Sequence, residues 1–274
     1  MRNIAVVAQK GGAGKTTSVI ALAACLAGQG GQGGRVLVLD TDTQANATQV
    51  LLGGEEPRRP TLSEVLTGEA AAVDAIVPTT IPGVDLIAAE PGLADVNVSL
   101  AAEVGRERRL RSAMAEVEGY DVCLIDTGPT RSLLTTNVLN FAAEVIVPLA
   151  PGLFGFLGLA QLQADMNLVR RFLENKALAL AGVFLVQMDR TAVSRDFERE
   201  IREALGPLVY PTTIPTSVKF REAEARRASI IAHAPKSPGA VAYRALTLEV
   251  MNRGIGQEER NEPADGDLLG HDAA

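Results

Sequence analysis

Residues Val6-Val7-Ala8-Gln9-Lys10-Gly11-Gly12-Ala13-Gly14-Lys15-Thr16-Thr17, "VVAQKGGAGKTT", decide how this chain is read. An apolar run leads into a glycine-rich loop, and the loop opens a helical pattern at Lys15. That context is what a phosphate-binding loop requires. Gly11, Gly12 and Gly14 let backbone N–H groups wrap an anion, with Ala13 between them. The helix that follows, through Thr16 and Thr17, adds the partial positive charge of its N-terminus. Lys15 is expected to reach the β- and γ-phosphates of a nucleotide, and the Thr16 hydroxyl to ligate Mg²⁺. The loop departs from the usual pattern at its start: Gln9 stands where a glycine is expected, and a second lysine, Lys10, follows it.

Downstream, short apolar runs alternate with helical patterns. Strands are predicted at 4–8, 36–40, 84–88, 122–126, 145–149, 181–187 and 208–214. Helices are predicted at 15–27, 62–66, 93–117, 157–174, 193–205, 218–229 and 239–252. Several strands are continuous Val/Ile/Leu runs, the mark of a sheet buried on both faces. The alternation predicts right-handed crossovers, a mainly parallel twisted sheet and helices on both of its faces, an α/β fold. Ligand chemistry should then gather at the carboxyl ends of the strands. Residues 1–254 are read as one domain. The glycine-rich run 28–34 reads as a linker, and the acidic segment 255–274 as a disordered tail.

Two more motifs fall at predicted strand ends. The first is Asp40-Thr41-Asp42, where one carboxylate can orient or activate water and the other can support the Mg²⁺ shell. The second is the apolar run Val122-Cys123-Leu124-Ile125 ending in Asp126, which would hold Mg²⁺ through water. Gly128 lies where a backbone N–H could sense a γ-phosphate.

Of the 274 residues, 47% are hydrophobic, so a large core is available. No apolar run reaches the roughly 18 residues of a membrane span, and no basic-then-apolar leader opens the chain. Cys25 and Cys123 sit inside apolar runs and read as buried, inert thiols. A cytoplasmic protein is expected. Net charge is −7. It is uneven: residues 190–244 carry ten basic and six acidic side chains, and residues 255–274 carry six acids and one arginine.

These motifs, in this order, resemble the ParA/Soj family of partition ATPases, within the wider deviant-Walker class that includes MinD. The loop "KGGAGKTT" matches in full. The likeness continues through Leu133-Leu134-Thr135-Thr136-Asn137, Arg190-Thr191, Ile214-Pro215, Glu222-Ala223 and Pro235-Lys236-Ser237, covering nearly all of residues 1–253.

The resemblance implies an ATP/ADP- and Mg²⁺-dependent ATPase that dimerises with ATP. Lys10 would reach the partner's nucleotide, Asp42 would position the attacking water, and Pro215 would contact the nucleotide. It further implies non-specific binding to double-stranded DNA in the ATP dimer, association with the nucleoid, and a ParB-like partner that stimulates hydrolysis during chromosome or plasmid segregation. The matching DNA-binding positions are Arg190 and Lys219. Local charge adds Arg221, Arg226, Arg227 and Lys236, with Lys219 and Arg226 on one helix face.

Two alternatives share the fold: positioning of a protein cargo on the nucleoid, and ATP-driven chemistry on a small molecule. A MinD-like membrane role would need a basic amphipathic tail, and the acidic tail argues against a membrane partner. The chain departs from the family pattern at Thr43, Gly128, Thr216 and Ser217. It departs again at 224–227, where loss of Pro and Gly predicts a longer helix and adds Arg226 and Arg227.

Overall fold

The computed structural model describes residues 1–28, 33–152 and 154–255, without the side chains of 154–156 and 254–255. The linker and tail expectations fall largely outside the described residues. Eight strands are formed: β1 (Arg2–Val6), β2 (Val36–Thr41), β3 (Ile76–Pro78), β4 (Val84–Ile87), β5 (Val122–Thr127), β6 (Glu144–Leu149), β7 (Ala179–Met188) and β8 (Val209–Pro215). They make one sheet in the order β3-β4-β2-β5-β1-β6-β7-β8. The pairings are parallel except for β3, a three-residue antiparallel edge strand on β4.

The α-helices are α1 (Lys15–Gly28), α2 (Asn46–Leu51), α3 (Leu62–Thr67), α4 (Leu93–Ser99), α5 (Arg109–Ala113), α6 (Leu133–Phe141), α7 (Phe154–Phe172), α8 (Ala192–Leu205), α9 (Val218–Ala225), α10 (Ile230–His233) and α11 (Pro238–Ile255). Strands β2, β5 and β6 are buried at every position. Successive residues feed opposite layers, as the pleat demands. Leu37, Leu39, Cys123 and Ile125 join one apolar layer with α6 and α7. Val36, Val38 and Leu124 join the other with Val19 and Leu22 of α1 and Tyr243 and Leu246 of α11.

The strand ends that carry the motifs are pinned together. The Thr41 hydroxyl donates to the Asp126 carbonyl at 2.6 Å, and the Thr127 hydroxyl to the Val6 carbonyl at 2.8 Å. Cys25 and Cys123 are buried free thiols, and burial pushes both up from the ordinary thiol range.

Three expectations need correction. The stretch 93–117 is not one helix. It breaks after Ser99 and again at Gly105, whose φ of 73° no continuing helix adopts. The Asn137 amide holds the broken segment, accepting from the Leu110 N–H at 3.0 Å and donating to the Arg106 carbonyl at 2.8 Å.

The helix expected at 218–229 ends instead at Ala225. Arg227 is left-handed (φ 50°), the Ala228 N–H turns back to the Ala223 carbonyl, and the Ser229 hydroxyl caps α10. Ser229 therefore starts a new helix rather than ending the old one. Lys219 and Arg226 do not share a helix face, since Arg226 already lies past the last helical residue. Helix α6 was missed because Thr135, Thr136 and Asn137 weaken its pattern; the Ser132 cap at its start is the signal that was available.

Candidate nucleotide site

The loop between β1 and α1 sits at the carboxyl edge of the sheet. Gly12 and Gly14 have φ of 73° and 77°, backbone that a Cβ would strain. Lys15 is buried, with its ammonium 3.5 Å from the Lys10 carbonyl. Burial draws its pKa down, and the charges of Asp126 and Asp42 partly oppose this. Lys10 is different. Its side chain is exposed, makes no ion pair among the described residues, and does not line the cavity beside the loop.

That cavity measures about 910 Å³. Gly11 to Thr17 form one wall and Asp42 and Gln44 another. Pro215, Thr216 and Ser217 lead the lining on to α9 and α10. The volume falls in the range of sites that enclose a small ligand.

The two buried strand-end carboxylates have different surroundings. Asp40 and Asp126 are register partners on β2 and β5, and both are fully buried. Asp40 accepts from the Asp42 N–H at 3.1 Å, and from the Thr48 N–H and hydroxyl at 2.8 Å each. Its oxygens are occupied in fixing the turn into α2. Burial nevertheless raises its pKa to about 6.

Among the described residues, neither oxygen of Asp126 makes a hydrogen bond of normal geometry. Its pKa is raised well above the usual range, first by burial and then by the charge of Asp40; the nearby Thr16 hydroxyl and Lys15 ammonium offset only part of this. An unpartnered buried carboxylate beside a hydroxyl fits a cation. This makes Asp126 with Thr16, rather than Asp40, the pair suited to Mg²⁺.

The effect is measurable without nucleotide. A carboxyl whose folded pKa is raised stabilises the fold at low pH and loses that contribution as pH rises through the folded value. Asp126→Asn should therefore be more stable than wild type by about 1–3 kcal/mol at pH 8. The advantage should shrink as pH falls and the wild-type carboxyl takes up its proton. Urea melts across that range check it, and an advantage independent of pH would remove the buried charge from the explanation.

Asp42 is nearly buried, and one oxygen accepts from the Gln44 N–H at 3.0 Å. A Cβ on Gly128 would stand 3.4 Å from that same oxygen, Asp42 Oδ1, so Gly128 lies against it. Pro215, at the end of β8, lines the cavity.

The basic positions divide. All six are exposed. Arg190 follows β7, and Met188 and Pro215 are register partners, so Arg190 and Lys219 emerge from neighbouring strand ends. Lys219 pairs with Glu222 at 2.7 Å, and Arg226 lies 3.3 Å from His233. Lys236 makes no ion pair among the described residues. Arg221 and Arg227, however, line the nucleotide cavity.

Sequence reasoning also missed Gln187. Its backbone is left-handed (φ 56°), and its amide donates to the Gly12 carbonyl at 2.6 Å. No motif marks it; only the fold brings β7 to the loop.

A parallel sheet with this strand order, a two-lysine phosphate loop after its central strand, and an unpartnered aspartate on the adjacent strand end define a P-loop nucleotide hydrolase of the deviant-loop kind. Comparison with known proteins narrows the class. A family model described as an AAA domain matches residues 1–180. The chromosome partitioning protein ParA of Caulobacter vibrioides is 38% identical over 261 residues, covering 92% of this chain and 95% of that one. The chromosome-partitioning ATPase Soj of Thermus thermophilus is 40% identical over 254 residues, covering 92% and 96%.

Among solved structures, cobyrinic acid a,c-diamide synthase of Mycobacterium smegmatis, with bound ATP analogue and magnesium, superposes with a TM-score of 0.78 at 32% identity, covering 93% and 96%. The septum site-determining protein MinD of Pyrococcus horikoshii, with Mg-ADP, superposes with a TM-score of 0.74 at 27% identity, covering 91% and 95%. This chain belongs to the ParA/Soj family of partition ATPases.

Proposed function

We propose that this ATPase is a dimeric switch for chromosome or plasmid segregation. ATP closes the dimer, the dimer holds non-specific double-stranded DNA on the nucleoid, and hydrolysis stimulated by a ParB-like partner releases it.

The observation that carries this reading is Lys10, exposed and without an ion pair among the described residues, beside a loop whose other lysine is buried. A cis phosphate contact is already provided by Lys15. Lys10 is left to meet a phosphate presented from outside, by a second copy of the chain.

Within one subunit, the backbone of Gly11 to Thr17 cradles the phosphates and Lys15 draws charge from them. Asp42, nearly buried against Gly128, orients the attacking water. Pro215 borders the rest of the nucleotide. Thr16 and, through water, Asp126 would hold Mg²⁺, whose chemistry here is to neutralise charge on the β- and γ-phosphates.

DNA binding is assigned to Arg190 and Lys219 at the ends of β7 and β8, with Arg226 and Lys236 nearby. Arg190→Ala with Lys219→Ala should weaken DNA binding by roughly tenfold or more at low salt and lower the salt slope by about two, since two phosphate contacts are lost. ATP-dependent dimerisation should survive. Filter binding at several salt concentrations reads both, and an unchanged slope would remove these residues from the DNA surface.

The likeness to cobyrinic acid a,c-diamide synthase supports a second reading, ATP-driven chemistry on a small molecule. ATP turnover would then depend on a metabolite, and not on DNA or a partner protein.

A further inference from the structure

Arg227 was read from the sequence as part of a DNA surface, and its place in the fold suggests another role. It lines the nucleotide cavity from the segment between α9 and α10. Its backbone is left-handed at φ 50°, a conformation that non-glycine residues seldom adopt. Its side chain crosses to the turn after α2. There it lies against Gly54, where any Cβ would collide with the guanidinium. Gly54 is held in place by its own N–H, which donates to the Gln49 carbonyl at 2.8 Å.

Gln49 and Val50 of α2 line the same cavity, so Arg227 joins its two walls. Ile20 also lines it. Five residues beyond Lys15 on α1, Ile20 stands about 7.5 Å from the phosphate loop at 1.5 Å per residue. The cavity therefore continues past the phosphates, and apolar Ile20, Val50 and Ile230 line that continuation. Among the described residues the Arg227 guanidinium has no ion pair and no side-chain hydrogen bond; only its backbone is engaged.

We propose that Arg227 clasps the base and ribose of the bound nucleotide. Gly54 backs one side of the guanidinium, and the other side is offered to the purine ring, where a planar cation stacks well. The proposal rests on the cavity being the nucleotide site. It makes Arg227 a determinant of nucleotide affinity rather than of DNA binding.

The test is calorimetric titration of the full chain with ATP, ADP and inorganic tripolyphosphate, each with Mg²⁺. Arg227→Gly should bind ATP and ADP about tenfold more weakly, by the same factor, and tripolyphosphate as wild type does. Glycine accepts φ 50° freely, so the melting temperature should not fall. Arg227→Lys keeps the charge and loses the planar face; it should resemble Arg227→Gly more than wild type.

Wild-type ATP affinity in Arg227→Gly would overturn the proposal. So would an equal loss for tripolyphosphate, which would place the effect on the phosphates. If wild type bound neither ATP nor tripolyphosphate, the nucleotide-site assignment itself would fall, and the proposal with it.

Discussion

Lys15→Ala should abolish nucleotide binding, lowering ATP affinity by roughly 100-fold or more. Charge-assisted bonds to a nucleotide's phosphates contribute about 1.5–3 kcal/mol each, and Lys15 is placed to make more than one. No nearby group can substitute for it. The Lys10 ammonium is exposed and outside the cavity, and Arg221 and Arg227 line the part formed by α9 and the turn after it. The loss has a second source. Lys15 is the cation that partly offsets the buried charges of Asp126 and Asp42. Without it, phosphates would approach two carboxylates and no lysine. Calorimetric titration with Mg·ATP checks the prediction, and affinity within about threefold of wild type would mean that the loop from Gly11 to Thr17 is not the phosphate site.

Much of this arrangement was legible in the sequence, for identifiable reasons. Strands such as Val36-Leu37-Val38-Leu39 and Val122-Cys123-Leu124-Ile125 are buried on both faces, so their apolar runs are continuous. The chemistry of the phosphate loop is local: Gly12 and Gly14 provide the positive φ, and Lys15 and Thr16 follow directly. Asp126 could be located because an apolar strand ends on it.

What the sequence did not show depends on contacts between distant segments. Asp40 and Asp126 look alike as strand-end carboxylates, yet Thr48 and the Asp42 N–H occupy one and leave the other unpartnered. Helix propensity favours continuing α9 through Arg226 and Arg227. The chain instead turns at Arg227, where Ser229 is placed to cap a new helix and the arginine side chain finds Gly54, far away in sequence. Gln187 reaches the loop only because β7 runs to the same edge of the sheet.

Lys10→Ala should separate nucleotide binding from dimerisation. The loop uses only the backbone carbonyl of Lys10, which faces the Lys15 ammonium, and alanine keeps that carbonyl. ATP affinity should therefore stay near that of wild type. In a two-fold dimer each Lys10 would face the other subunit's phosphates, so one substitution removes two contacts. Truncating one partner of a buried charge pair at an interface costs about 2–5 kcal/mol. Two such contacts would cost at least about 4 kcal/mol, so the dimer dissociation constant should rise by roughly 1000-fold.

The decisive measurement is sedimentation velocity of wild type and Lys10→Ala, each saturated with a non-hydrolysable ATP analogue and, separately, with ADP. Wild type should be a dimer with the analogue and a monomer with ADP, and Lys10→Ala should bind the analogue yet stay monomeric. A Lys10→Ala protein that dimerises with the analogue as wild type does would contradict this.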